Sequence, residues 1–124
     1  MTRILIADDN AASRELIRTV LEHEGYEMFE AVDGLEALEL ARRVQPDLII
    51  LDLQMPRLDG FGTMAKLRSE SLFDGTPVVA LTASAMAGDK DRALASGFTG
   101  YLTKPIGLGL LRSEVQRLLH GAIR

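Results

Sequence analysis

The 124-residue sequence contains no cysteine, no tryptophan and only two histidines. Without cysteine there is no disulfide framework, no thiolate nucleophile and no thiolate-held zinc or iron–sulfur centre, and the chain suits a reducing compartment such as the cytoplasm. His23 and His120 are too few to build a zinc site, and each reads as a solvated side chain, one among charged neighbours and one near the chain end. No apolar run approaches the roughly 20 residues that span a bilayer. The N-terminal apolar run, Ile4 to Ala7, stops at two aspartates, so neither an export signal nor a membrane span is expected. Positive charge is also scarce: 14 Lys and Arg against 18 Asp and Glu give a formal charge of −4, which argues against direct binding to nucleic acid.

What is present is the balance of an ordinary globule, with 47% hydrophobic and 26% charged residues, enough apolar surface to collapse and short enough for one core. Residues 1–124 are therefore expected to form a single domain. Short apolar runs alternate with longer segments of helical period, the pattern of an α/β chain. The runs are Ile4–Ala7, Glu27–Ala31, Leu48–Leu51, Val78–Leu81 and Tyr101-Leu102. Between them, Leu16, Ile17, Val20 and Leu21 mark a first helix that Gly25 caps. Asp33 and Glu36 form a variant capping box for a second, with Leu35, Leu38 and Ala41 as its stripe, an end near Val44 and Pro46 barring continuation. Phe61, Met64 and Leu67 mark a third helix, and a weaker segment from Ala87 to Ser96 stops at Gly97. Leu108, Leu111, Val115 and Leu118 mark the last.

The runs ending at Ala7, Leu51 and Leu81 lack polar alternation and read as central parallel strands, whereas Glu27 and Glu30 make the second run an edge strand. Right-handed crossovers and this alternation favour a doubly wound parallel sheet with five helices, and for five strands the flavodoxin-like order 2-1-3-4-5 is the commonest choice. In such a sheet, ligands bind at the carboxyl ends of the strands where the first and third part. Asp8 and Asp9 end the first strand and Asp52 the third, so three carboxylates converge there. Alone, the Asp8-Asp9 pair reads equally well as a solvated turn with Asn10 as helix cap. Asp52 shifts the balance, because a carboxylate ending an apolar central strand is hard to assign to surface decoration.

Close like charges need a compensating cation, and magnesium fits best, since it takes one or two carboxylates, keeps several waters and accepts a phosphate oxygen. Thr82 closes the fourth strand and Lys104-Pro105 the fifth. Separately these are an ordinary strand end and a turn; together with the carboxylates they supply a hydroxyl, an ammonium and a metal site, the parts of a phosphoryl site. Asp52 is the natural nucleophile, giving an aspartyl phosphate.

These motifs jointly resemble the receiver domain of two-component response regulators over essentially the whole chain. The matching pieces are Ile4 through Asn10, Asp47 through Asp52 with Met55-Pro56 and Asp59-Gly60, Pro77 through Ala83, and Tyr101 through Pro105. The stretch from Thr82 to Asp89, with Lys104-Pro105-Ile106, looks like the receivers of phosphorelays and stand-alone cell-division regulators. The resemblance implies that Asp52 accepts a phosphoryl group from phosphohistidine on a histidine kinase or phosphotransfer protein. It implies that Asp8, Asp9, Asp52 and the backbone carbonyl of Gln54 hold magnesium, with Asp8 acting chiefly through a metal-bound water. Thr82 and Lys104 would contact phosphoryl oxygens, Tyr101 would be the switching aromatic, and Lys104-Pro105 would be cis. The only turnover expected is of the chain's own phosphoryl group. The output is expected on the fourth helix, fifth strand and fifth helix, where Leu94, Tyr101 and Leu110 would meet a downstream protein or a second copy, the chain being a monomer or weak dimer. Gln54 and Ser84 would border the approach of hydrolytic water.

One feature departs from the family pattern: Gly107 and Gly109 stand where the last helix begins, and Gly is a weaker cap than Ser, Asp or Asn. A magnesium-dependent aspartyl phosphohydrolase is the rival reading. Such enzymes carry a second Asp two residues after the nucleophile, where this chain has Gln54, and a lid, for which no segment is long enough. A nucleotide or flavin binder would need a Gly-rich first turn in place of Asp8-Asp9-Asn10-Ala11-Ala12.

Overall fold

The computed structural model describes residues 1–83, 86 and 88–120. Five strands, β1 (Arg3–Ala7), β2 (Glu27–Ala31), β3 (Leu48–Asp52), β4 (Val78–Thr82) and β5 (Gly100–Thr103), alternate with α1 (Ala11–His23), α2 (Gly34–Val44), α3 (Gly60–Arg68), α4 (Asp89–Ala95) and α5 (Leu108–His120). All strand pairs are parallel, in the order β2-β1-β3-β4-β5. This is the doubly wound sheet expected from the alternation of runs.

The sheet divides the core in two, because successive side chains on a strand face opposite ways. Leu5, Ala7, Ile49, Leu51, Val78 and Ala80 meet the buried residues of α2, α3 and α4. Ile4, Ile6, Leu48, Ile50, Val79 and Leu81 meet Ile17 and Leu21 of α1 and Leu111 and Val115 of α5. Strands covered on both faces cannot alternate apolar with polar residues, which accounts for the unbroken apolar runs.

Helix ends follow the local chemistry. Asn10, Asp33 and Asp59 cap α1, α2 and α3, each accepting a backbone N–H of the first turn. Glu36 completes the capping box by accepting the Val32 N–H at 2.7 Å. Helix α1 stops at Gly25, whose φ of +95° suits a residue without Cβ; Tyr26 N–H to Leu21 O and Gly25 N–H to Glu22 O close the turn. Gly107 immediately precedes helix α5, and its carbonyl accepts the Leu111 N–H at 2.9 Å. A short 3₁₀ turn at Ser71–Phe73, not foreseen from periodicity, buries Phe73 beneath α3 and β4.

Three leucines assigned to helix stripes face water instead: Leu16 at 43% exposure, Leu35 at 44% and Leu108 at 36%. On α1 the buried line is Ile17 and Leu21, and Leu16 sits one residue around from it. On α2 the face against the sheet is Gly34, Ala37, Leu38 and Ala41, so the close packing of Gly34 turns Leu35 outward. On α5 burial begins only at Leu111, one turn below the helix start, where the sheet supplies a partner. Among the described residues, no helix is long and apolar enough to cross a membrane.

Candidate phosphoryl-transfer site

The carboxyl ends of β1, β3, β4 and β5 form one rim. Asp52 is the last residue of β3 and Thr82 of β4; Asp8 and Asp9 follow β1, and Lys104 follows β5. Strand registry aligns these ends: Ala7 lies opposite Leu51, Asp52 opposite Leu81 and Thr82 opposite Thr103. Asp8, Asp9 and Asp52 each bring one carboxylate oxygen within 4.8 Å of the others, with Asp8 and Asp52 buried and Asp9 exposed.

The local backbone aims these oxygens. Oδ1 of Asp8 accepts the Asn10 N–H at 2.9 Å, and Oδ1 of Asp52 accepts the Gln54 N–H at 3.0 Å. Each carboxylate is thus held by the residue two positions on, which leaves its Oδ2 turned to the shared space. Lys104 enters that space: its ammonium donates to Oδ2 of Asp52 at 2.9 Å and lies 3.0 Å from Oδ2 of Asp8. The second approach is an ion pair without hydrogen-bond alignment, so the fully buried Oδ2 of Asp8 accepts no hydrogen bond among the described residues. The Lys104-Pro105 peptide bond is cis, as the resemblance implied.

Electrostatics distinguish the two buried carboxylates. Burial drives the Asp8 pKa up, but the Asn10 N–H and the hydrogen-bonding surroundings of Asp52, Lys104 and Ser13 outweigh it and hold it below the ordinary value. For Asp52 burial prevails, reinforced by the neighbouring Asp8 charge against Lys104 and the Gln54 N–H, and its pKa is raised. Burial alone would depress the Lys104 ammonium; its two carboxylate partners reverse this and raise it. Two buried carboxylates facing one ammonium leave an excess of negative charge, which is costly away from water. Hard oxygen donors at this spacing fit a divalent cation of the magnesium type.

Two depressions of about 320 Å³ adjoin the rim. One is bounded by Gln54, Asp59, Phe61, Thr82 and Arg92, the other by Asn10, Ser13, Leu16, Lys104 and Pro105. On the first, the Arg92 guanidinium stacks 3.8 Å above the Phe61 ring. Tyr101 does not join the carboxylates. It sits opposite Ala80 in the sheet, half-buried against the α2–α3–α4 side, and its shielded hydroxyl makes no hydrogen bond among the described residues. Ser84 lies outside the described residues. Two arginines not singled out by motif also shape the rim. Arg14 donates to the Asp8 carbonyl at 2.7 Å and pairs with Glu30 at 2.9 Å, and Arg57 pairs with Asp33 at 2.8 Å. Arg14 stands one turn after the Asn10 cap, a spacing that could have suggested it; nothing local marks Arg57.

Residues 4–116 match the family model described as the response regulator receiver domain. The chain is 42% identical over 119 residues to a DNA-binding dual master transcriptional regulator, RpaA, of Synechocystis, covering 96% of this chain but only 49% of that protein. It is 39% identical over 105 residues to the polar-differentiation response regulator DivK of Brucella anthropi, covering 85% of each. Among solved structures, chemotaxis protein CheY4 of Vibrio cholerae superposes with a TM-score of 0.90 at 35% identity, over 96% of this chain and 99% of that one. The receiver domain of the Pseudomonas aeruginosa sensor histidine kinase PA1611, solved with magnesium coordinated in its active-site cleft, superposes at 0.89 with 32% identity, over 97% and 94%. With the five-stranded order, the carboxylate rim and the family match over nearly all of the chain, this protein belongs to the receiver domains of response regulators, and its role is that of a phosphoacceptor signalling domain.

Proposed function

We propose that residues 1–124 act in the cytoplasm as one receiver unit in which Asp52 takes a phosphoryl group from phosphohistidine on a histidine kinase or phosphotransfer protein. Magnesium would be held by Asp8, Asp9, Asp52 and the Gln54 carbonyl, where it would neutralise carboxylate repulsion and draw charge from the phosphoryl oxygens. The observation that carries the reading is the Lys104 ammonium between Asp8 and Asp52, at 3.0 and 2.9 Å, beside three carboxylate oxygens that converge at one rim.

In the transfer, an ionised oxygen of Asp52 attacks phosphorus as the P–N bond to the donor imidazole breaks, and the bonding pair returns to the ring nitrogen. Lys104 exchanges its contact with Asp52 for a phosphoryl oxygen, and the Thr82 hydroxyl donates to another. The raised pKa of Asp52 comes from burial and from Asp8, so neutralising that pair keeps the nucleophile ionised. Hydrolysis reverses the gain: water attacks phosphorus, the P–O bond to Asp52 breaks and the carboxylate is regenerated. Turnover of its own phosphoryl group is the only catalysis in this reading. The product is a changed surface on α4, β5 and α5, where Leu94 at 47% and Leu110 at 65% exposure offer apolar contacts to a downstream protein or a second copy.

Borohydride reduces an aspartyl phosphate to homoserine, which marks the acceptor in a peptide digest. After incubation with a small phosphodonor and magnesium, the conversion is expected at position 52; conversion elsewhere, or none, contradicts the proposal.

A further inference from the structure

We infer that Arg57, through its ion pair with Asp33, is a positioning residue for the cation site: it fixes the outer turn of the β3–α3 loop and thereby tunes magnesium affinity. The inference rests on the functional reading above, because that loop carries the Gln54 carbonyl.

The loop is pinned at its base. Gly60 N–H donates to Leu53 O at 3.1 Å, the Gln54 N–H is held by Asp52, and Met55 is buried in the core. Its outer turn is strained. Arg57 has φ of +67°, which a residue with a Cβ adopts rarely, and Leu58 N–H donates to Pro56 O at 2.7 Å, closing a three-residue turn about Arg57. Such a turn persists only where its surroundings hold it.

Two contacts from α2 do so. Nε and a terminal nitrogen of Arg57 both reach Oδ2 of buried Asp33, at 2.9 and 2.8 Å, while Oδ1 of Asp33 caps α2 through the Glu36 N–H. The next residue, Gly34, packs so closely that a Cβ there would run into the Leu58 carbonyl and the Thr63 hydroxyl.

The topology gives this clamp its reach. In the sheet β1 lies between β2 and β3, so the Arg57–Asp33 pair joins the turn after β2 to the loop after β3. The turn after β2 is itself tied to the first ligand segment, since the Asp8 N–H donates to Ala31 O at 3.1 Å. A continuous path therefore runs from Asp8 through Ala31, Asp33, Arg57 and Gln54 to Asp52. Lys104 links the same two carboxylates directly. Ligands held by a fixed outer frame bind a cation without spending binding energy on ordering the loop.

The test uses the full chain, with magnesium titrated calorimetrically into wild type, Arg57→Ala, Asp33→Asn and the double variant. Alanine keeps a Cβ at the positive φ and removes only an exposed side chain, and asparagine still caps α2, so the folds should survive while the turn loses its clamp. Each single change should weaken magnesium binding by about three- to tenfold, and the double no further, because the pair acts as one unit. The magnesium needed for half-maximal phosphorylation by phosphoramidate should rise in step, with the rate at saturating magnesium unchanged. If Arg57 instead acts as a repelling positive charge, Arg57→Ala tightens binding; that result, unchanged affinity, or additive effects in the double variant would overturn the inference. If wild type binds no magnesium yet is phosphorylated at Asp52, the metal reading itself fails and this inference falls with it.

Discussion

Gln54 has two connections to the chemistry at the level of single side chains. Its backbone N–H orients Asp52, and its side chain is exposed on the depression beside Thr82. An amide is not ionised at any working pH and cannot act as a strong base, so its influence on hydrolysis is steric and orientational. Trimming it to Asn should open the in-line approach of water and shorten the lifetime of the phosphorylated state. Phosphoryl loss followed by mass spectrometry in excess magnesium checks this, and an unchanged rate would place the control elsewhere. The residues of the rim were legible in the sequence because Asp8, Asp52, Thr82 and Lys104 each interrupt or follow an apolar run. A polar side chain ending a buried strand announces itself. Arg57 was not legible, since the Asp33 carboxylate it pairs with is 24 residues away in sequence and only the fold brings it near.

Among the elements, α2 and α5 show what periodicity decides and what tertiary packing decides. The caps of the first two helices, Asn10 and Asp33, could be read locally, because a cap is satisfied within one turn. Leu16, Leu35 and Leu108 could not be assigned to a face by spacing alone, since each lies at the edge of a buried line whose centre is set by the sheet. On α5 the contrast between neighbours is sharp: Leu111 is fully buried and Leu110 is 65% exposed. Leu111→Ala should cost about 2–5 kcal/mol of folding stability in urea titrations. Leu110→Glu should change it by less than about 0.5 kcal/mol while weakening partner binding or self-association. A large stability loss in Leu110→Glu would make that residue core. On α2, the Glu36 N–H lowers the Asp33 pKa most, followed by the opposing effect of burial and then by Arg57. A depressed folded-state value means that Asp33 adds stability above its unfolded pKa, about 3.9, and that this is lost as pH falls through the folded value. Wild type should therefore be more stable than Asp33→Asn at pH 6–7, with the gap closing below about pH 4. A gap independent of pH would show that charge plays no part.

At the scale of the molecule, strand order brings the working side chains together. Asp8, Asp52, Thr82 and Lys104 lie up to 96 residues apart in sequence, yet parallel strands in the order 2-1-3-4-5 deliver them to one rim. The order was legible in part, because apolar continuity separates central from edge strands and 2-1-3-4-5 is the commonest order for five; the 3₁₀ turn at Ser71–Phe73 was not, because burying Phe73 in a shared core depends on the fold. On the proposed reading, this rim makes Asp52 the acceptor and uses a divalent cation to do so. Intact mass of wild type and Asp52→Asn, each incubated with phosphoramidate with and without magnesium, tests it most directly. One added phosphoryl group is expected on wild type with magnesium, far less without it, and none on Asp52→Asn, which should stay folded because Asn is nearly the same size. A stably phosphorylated Asp52→Asn protein, or labelling of wild type indifferent to magnesium, would contradict it.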